Sequence, residues 1–442
     1  MRKLILLMLA TLVAACSSDD DSSGGVPVGS CSNDGQKQFV LDAMRQWYFW
    51  EDRLPATVDI SQFANPDDLL DFLTTFSPDD GTGRPVDRFS FINSAEADQQ
   101  FFGEGRFEGF GFSSRFVAAD DLRLSRVFTD SPANRGGLAR GQRILQLNGR
   151  TIAEIQAAEG VNAVFDTPTL DFTMREIDGS EFAVTITQDI VTIDPVPQFR
   201  VIDSGGGRNV GYMELASFIS TANSEMDDAF AQFRAAGVND LILDLRYNGG
   251  GLVSTADLLG DLLGGDVAEN LTFSKTVFNV LQAAANNSTE LFDRQANSLS
   301  LSRLVVIATS GTASASELVT NGMEPHVEVT VVGADTFGKP VGQVGLEFCE
   351  QILRPTSFQT LNADDFGDYF DGLPVDCAAA DDLNVAVGDA ADPNVVAALA
   401  YFATGTCPVA SQASARFKTG VAPGVPQPDR RGPPHREFAD AY

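Results

Sequence analysis

Apolar positions cluster into a few continuous runs separated by amphipathic stretches. VGYMELASF (210–218), LILDLR (241–246) and LVVIAT (304–309) are mostly apolar, the pattern of strands buried on both faces. Between the first two, ANSEMDDAFAQFRAAG (222–237) repeats its apolar residues at helical spacing. LVSTADLLGDLL (252–263), ELVTNGM (317–323) and DPNVVAALAYFATG (392–405) read as further helices, and VEVTVVG (327–333) as another strand. Strands alternating with helices predict a mostly parallel sheet covered by helices. Residues 265–300, richer in Asn, Ser and Ala, read as an insertion over the functional site.

Nearer the N-terminus the period is helical. In GQKQFVLDAMRQWYFWEDRLP (35–55), Val40, Met44, Trp47 and Tyr48 share a face. NPDDLLDFLTTF (65–76) predicts a second helix, with Asn65 as N-cap and Pro66 in the first turn.

Two turns beside the predicted strands carry candidate chemistry. SGTASAS (310–316) joins the LVVIAT strand to a helix, so Ser314 stands at the carboxyl edge of the sheet and at a helix N-terminus, where free N–H groups favour negative charge. An N-cap serine in an ordinary turn fits the same string. The chain has only two histidines, His326 before a strand and His435 in a Pro/Arg-rich tail, and neither suits a Ser-His-Asp site. A serine nucleophile then needs another base, and a desolvated lysine can serve. Lys339 follows the strand-like run 329–339 in TFGKPVGQ, with Phe337 and Val341 as an apolar wall and Gln343 four residues on to aim the amine. A third turn, RYNGGGL (246–252), ends the LILDLR strand; Gly249, Gly250 and Gly251 can present bare N–H groups to an oxyanion. Neither a Walker lysine nor a GxGxxG pattern accompanies these glycines, which argues against nucleotide binding.

DLRYNGGGL, TASASEL and TFGKPVGQ, in this order, resemble the S41 peptidases, the tail-specific or carboxyl-terminal processing proteases. The resemblance spans about residues 104–404 and implies roles: Ser314 nucleophile, Lys339 general base, Gln343 orienting the lysine, Gly250 and Ala315 donating oxyanion N–H groups. Gly249 stands where the family commonly has proline, and Pro340 where it has glycine. Upstream, FEGFGF (107–112) followed by SPANRGGLARGQRILQLNGRTI (131–152) resembles a PDZ domain, with Gln142 in place of a common aspartate. By that likeness Gly109, Phe110, Gly111 and Phe112 bind a peptide's terminal carboxylate while the next strand pairs with the peptide; Arg106 is an optional helper.

Arg2 and Lys3 precede the apolar run 4–15 and Cys16. The run is too short to span a bilayer, which takes about 18 apolar residues, and reads as a secretory signal. VAAC resembles the bacterial lipoprotein box, which implies lipidation of Cys16; Ser17 after it implies sorting to the outer membrane, facing the periplasm. The expected organisation is α/β and β multidomain: signal peptide 1–15, flexible linker 16–34, N-terminal helical domain 35–103, PDZ domain 104–190, protease core 191–407 with a mostly parallel, ClpP/crotonase-like sheet, and disordered tail 408–442.

Charge narrows the partners. The formal net charge is −31 over 442 residues, and loss of Arg2 and Lys3 with the signal makes the mature chain more negative still. That charge argues against nucleic acid as a partner; protein or peptide substrates and a lipid-anchored membrane contact remain. With Cys16 lipidated, Cys31, Cys349, Cys377 and Cys407 are free to form disulfides in an exported compartment. The expected pairing is Cys349–Cys377, which flank the segment after the lysine loop, and Cys31–Cys407. There is no CxxC spacing for zinc, and neither metal nor cofactor is expected. Two noncatalytic readings stand beside a Ser-Lys endopeptidase: a PDZ adaptor lipoprotein on the same scaffold, and a small-ligand carrier of related core fold.

Overall fold

The computed structural model describes residues 24–204 and 208–408. Cys16, the signal stretch, His435 and nearly all of the 408–442 tail lie outside the described residues.

The buried apolar runs form one six-stranded sheet. Asn209–Glu214, Asp240–Asp244, Arg303–Ala308, Glu328–Gly333 and Cys377–Ala378 run parallel, and Gln198–Asp203 pairs antiparallel on the outer edge. Helices Ala222–Ala235, Val253–Ala268 and Ala315–Met323 bury their apolar residues with one face of the sheet in a single core, while Pro393–Thr404 packs with the other face. The first parallel strand ends at Glu214 rather than at 218. Its continuation leaves the sheet because Phe218 pairs with the glycine turn instead: Phe218 N–H donates to Gly250 O at 2.9 Å and Leu252 N–H to Phe218 O at 2.7 Å.

Residues 265–300 are no loose insertion. Thr272–Phe278 and Ser288–Leu291 form a hairpin in a four-stranded sheet with Thr356–Leu361 and Val341–Gln343. This second sheet carries Gln343.

The middle module holds an antiparallel sheet ordered Phe112–Ala118, Asp121–Val127, Arg143–Leu147, Thr169–Arg175, Glu181–Thr187. Asn148 and Gly149 both have positive φ, 49° and 76°, which the Asn-Gly pair at that hairpin turn tolerates. Ser131 caps the short helix Pro132–Arg135.

At the N-terminal end, Asn65 caps helix Pro66–Thr74, accepting from Asp68 N–H at 2.8 Å. The first helix, Asn33–Trp47, stops well short of residue 55. Tyr48 turns extended and is fully buried, and Phe49 N–H donates to Thr356 O at 2.8 Å, so the aromatic run serves packing against the core rather than one helix face. Val341, Leu346, Phe348 and Leu353 of the core complete the hydrophobic cluster of this module, and strand Phe91–Ser94 pairs with Gln351–Arg354. The expected 16–34 linker is also shorter. Val26 is buried, Trp47 Nε1–H donates to Gly24 O, and Cys31 is disulfide-bonded, so the packed body begins no later than Gly24.

The disulfides join Cys31 to Cys349 and Cys377 to Cys407, which corrects the expected pairing. Cys349 lies in the turn of a hairpin packed on the N-terminal module. Cys377 belongs to the last strand of the parallel sheet, and Cys407 follows the helix packed over it. The two cysteines flanking one chain segment therefore belong to different sheets.

Candidate active site

Ser314 follows the buried strand Arg303–Ala308 and immediately precedes helix Ala315–Met323. The turn is tied to the neighbouring parallel strand: Thr312 Oγ1–H donates to Leu245 O at 2.7 Å and Ala313 N–H to Asn248 O at 3.0 Å. Ser314 itself has φ 55° and ψ −116°, a conformation that costs a non-glycine residue energy and persists only where neighbours impose it. The side chain is half-buried at the sheet's carboxyl edge.

The glycine turn lies against it. A Cβ on Gly250 would meet Ser314 Cβ at 2.7 Å and Ala315 N at 2.8 Å, so only glycine fits there. Ala315 supplies the first N–H of the helix, which has no acceptor within the helix. Gly250 N–H, however, donates to Asn248 Oδ1 at 2.9 Å, and can serve an oxyanion only by sharing or leaving that bond. Asn248 is fully buried, with its Nδ2 donating to Leu215 O at 2.8 Å.

Lys339 is 8% exposed, and its Nζ donates to Gln343 Oε1 at 2.9 Å. Gln343 is fixed in turn, its Nε2 donating to Phe89 O at 2.6 Å and Arg354 O at 3.0 Å. Both amide hydrogens are therefore spent on carbonyls, which turns Oε1 toward the amine. The Phe89 ring centre lies 5.8 Å from Nζ, and Val341 is buried at the head of the strand carrying Gln343.

Glu317, fully buried, joins the two turns. Its Oε2 accepts from Ser314 N–H at 2.9 Å and Lys339 N–H at 2.8 Å; its Oε1 accepts from Gly338 N–H at 2.7 Å and from Thr336 Oγ1–H. Burial pushes its carboxyl up, and these four hydrogen bonds oppose that. Sequence reasoning missed this residue, though S-x-x-E at a helix start is a legible capping pattern. It also missed Phe89, 250 positions from Lys339 in sequence, for which nothing local gives a signal.

His326 Nε2 lies 2.8 Å from Thr272 O, which accounts for it structurally. In the middle module, Phe110 and Phe112 are fully buried in its core and Gly111 has φ 84°. Gly109 ends a strand paired with Asp189–Thr192. Arg106 is exposed and ion-paired with Glu104. Among the described residues no cluster of His, Cys, Asp or Glu is placed to hold a metal ion, and no helix is long and apolar enough to cross a membrane.

The middle module meets the glycine turn through buried charge. Arg140 donates to Tyr247 Oη at 2.8 Å and to Asp381 at 2.7 Å, while the Tyr247 hydroxyl donates to Asp381. Arg115 and Arg246 also face Asp381. Burial alone would raise Asp381, but these three guanidiniums hold it well below the ordinary carboxyl range.

A mostly parallel sheet covered by helices, with a serine at a helix start, a glycine turn against it and a lysine bonded to a glutamine, defines an α/β class of fold. Comparison with known proteins places it more closely. Residues 209–365 match peptidase family S41 and residues 35–91 match the peptidase S41 N-terminal domain. The chain carries the domains of the S41 peptidase family. It is 29% identical over 225 residues to the carboxyl-terminal-processing protease of Synechocystis sp., covering 50% of each chain. It is 26% identical over 260 residues to the carboxy-terminal processing protease CtpA of Bacillus subtilis, covering 58% of this chain and 53% of that one. The chain thus spans about half the length of the curated relatives it matches. Its fold is similar to that of a putative S41 protease from Bacteroides fragilis, with TM-score 0.65, 24% identity and coverage of 83% and 97% of the two chains. It is also similar to the photosystem II D1 C-terminal processing protease, with TM-score 0.50, 18% identity and coverage of 78% and 92%.

Proposed function

We propose that this protein is a serine endopeptidase with Ser314 as nucleophile and Lys339 as general base, acting on exported proteins. The observation that carries the reading is Glu317 Oε2, one atom that accepts from both the Ser314 and the Lys339 N–H. In this mechanism the neutral Lys339 amine, held by Gln343, takes the Ser314 proton as Oγ attacks the scissile carbonyl. The Ala315 N–H, and Gly250 N–H once it turns from Asn248, receive the oxyanion. Lysine then passes the proton to the leaving amine, and water resolves the acyl-enzyme by the same route in reverse.

The middle module is read as a PDZ domain. The turn Gly109–Phe112 takes a C-terminal or unfolded segment, and strand Phe112–Ala118, the last in the order of its sheet, is the one with which the peptide pairs. Binding far from the scissile bond would then position substrate. Cys16 is read as the lipidated N-terminus of a protein anchored to the outer membrane, facing the periplasm. The mass of the mature N-terminus tests this, and an unmodified residue beyond Cys16 overturns it.

Incubation of the purified protein with an unstructured protein substrate tests the chemistry. Ser314→Ala and Lys339→Ala should each lower hydrolysis by about 10³-fold or more with folding retained, and the double variant should be little worse. Lys339→Arg should also fail, since arginine supplies no neutral amine. Full activity in either single alanine variant overturns the mechanism. A noncatalytic peptide binder would show binding with no Ser314-dependent hydrolysis.

A further inference from the structure

Arg88 projects from the N-terminal module onto the lysine loop. Its backbone is rigidly placed: the buried Asp87 carboxylate accepts from the Phe89 N–H, the Ser90 N–H and hydroxyl, and the Thr356 hydroxyl. Its side chain packs on two rings, with the guanidinium carbon 4.9 Å from the Phe337 centre and 5.4 Å from the Phe89 centre. Nη2 donates to Phe337 O at 3.3 Å and Phe370 O at 3.4 Å. Among the described residues Arg88 makes no ion pair, whereas Arg115, Arg126, Arg140, Arg246, Arg303 and Arg354 all do. A residue exposed to solvent thus keeps guanidinium donors in hand, in a chain with 61 acidic side chains against 30 basic ones. The acidic groups around it are engaged or solvated: Asp80 pairs with Arg84, Glu317 carries its four hydrogen bonds, and Asp371 is exposed.

The Phe89 ring links this cation to the site. It lies 5.4 Å from the Arg88 guanidinium and 5.8 Å from Lys339 Nζ, so the two cations are no farther apart than those distances laid end to end. An extended peptide advances about 3.3–3.6 Å per residue, so that gap is bridged by one to three residues of substrate. A planar, stacked guanidinium suits a carboxylate better than a lone ammonium would.

We propose that Arg88 is a specificity-determining residue that binds the free terminal carboxylate of a substrate one to three residues beyond the scissile bond, so that the enzyme trims short pieces from C-termini. This rests on the Ser314–Lys339 reading for the position of cleavage, but not for the binding of the carboxylate; it gives the terminal carboxylate to Arg88 in place of the turn Gly109–Phe112, and leaves that turn to hold an unfolded upstream segment.

Decapeptides ending in a free acid or an amide separate the possibilities. The wild type should cleave the acid with kcat/KM about tenfold or more above the amide, as one charge-assisted contact allows, and should release products of one to three residues. Arg88→Met should bring the acid-to-amide ratio within about twofold of unity and lengthen the products. Arg88→Lys should keep an intermediate ratio. If Arg88 only braces the lysine loop, Arg88→Met lowers both substrates together and the ratio is unchanged, which overturns the proposal. A carboxylate read only by the turn Gly109–Phe112 would likewise leave the ratio intact in Arg88→Met. Titration of the Ser314→Ala protein with the same peptides reads binding alone. An acid preference that disappears on adding Arg88→Met supports the carboxylate site even if the wild type fails to hydrolyse, in which case the Ser-Lys mechanism is what falls. Equal binding of acid and amide removes the site.

Discussion

The turn carrying Ser314 and the loop carrying Lys339 follow adjacent strands of one sheet, yet they are held in different ways. The serine turn is braced by its parallel neighbour, through Leu245 and Asn248. The lysine loop is held by segments from elsewhere. Thr336 exchanges hydrogen bonds with Leu373, a Cβ on Gly338 would meet Phe370 O at 2.2 Å, and the N-terminal module contributes Phe89, through Gln343, and Arg88. A serine placed by the sheet and a lysine placed by remote segments can act together, as the proposed mechanism requires, only if the two turns keep their register. Two links span them: the Phe337 N–H donates to Thr312 O at 2.9 Å, and the Glu317 carboxylate accepts from both segments.

The largest effect that can break this comparison is expected at Glu317. Glutamine has the same shape but offers one acceptor oxygen and a pair of donors. In Glu317→Gln, one half of the set Ser314 N–H, Lys339 N–H, Gly338 N–H and Thr336 hydroxyl therefore faces another donor. Buried bonds to a charged acceptor are each worth about 1.5–3 kcal/mol, so kcat/KM should fall by about 10²-fold or more, chiefly in kcat, with the loss measured beside the melting temperature. Thr336→Val removes a single donor and should cost only severalfold. If Glu317→Gln is folded and fully active, the serine and lysine segments hold their register independently, and the shared carboxylate is merely a helix cap.

The same contrast explains what could be read from residues alone. The strand Arg303–Ala308 and the helix after Ser314 follow from a continuous apolar run and a small-residue turn, both local signals. Lys339 and Gln343, four apart, were legible as a pair because their contact is local too. Phe89, Arg88 and the Cys31–Cys349 bond were not, since each joins parts of the chain some 250 or more positions apart through packing that no periodicity encodes. The overrun of the first helix past Trp47 has a related cause: Tyr48 fits a helical stripe by spacing, but is buried by tertiary contact after the helix has ended. The hydrogen bond from Gly250 to Asn248 was invisible for another reason, because a glycine run signals backbone freedom but not where its N–H groups point.

The glycine turn falls between the two cases, and Tyr247 tests to which it belongs. Its backbone sits at φ 63° directly before Asn248. Its hydroxyl is tied to Asp381 and Arg140, one of them in the middle module. Tyr247→Phe keeps the ring and deletes only that tie; Asp381 retains Arg140 at 2.7 Å and Arg115 at 3.2 Å. The loss of one hydrogen bond of about 1 kcal/mol predicts a fall in kcat/KM of about two- to tenfold. Burial, followed by the Asp381 charge, pushes the Tyr247 hydroxyl up to about 12, so it stays protonated and donating at every pH from 5 to about 10. The variant should therefore lower the pH–rate profile without changing its shape over that range. An unchanged rate would assign the turn to the sheet, alongside Ser314. A loss as deep as that of Glu317→Gln would show that the glycine turn, like the lysine loop, is held from outside the sheet, and that docking of the middle module is part of how the site is built.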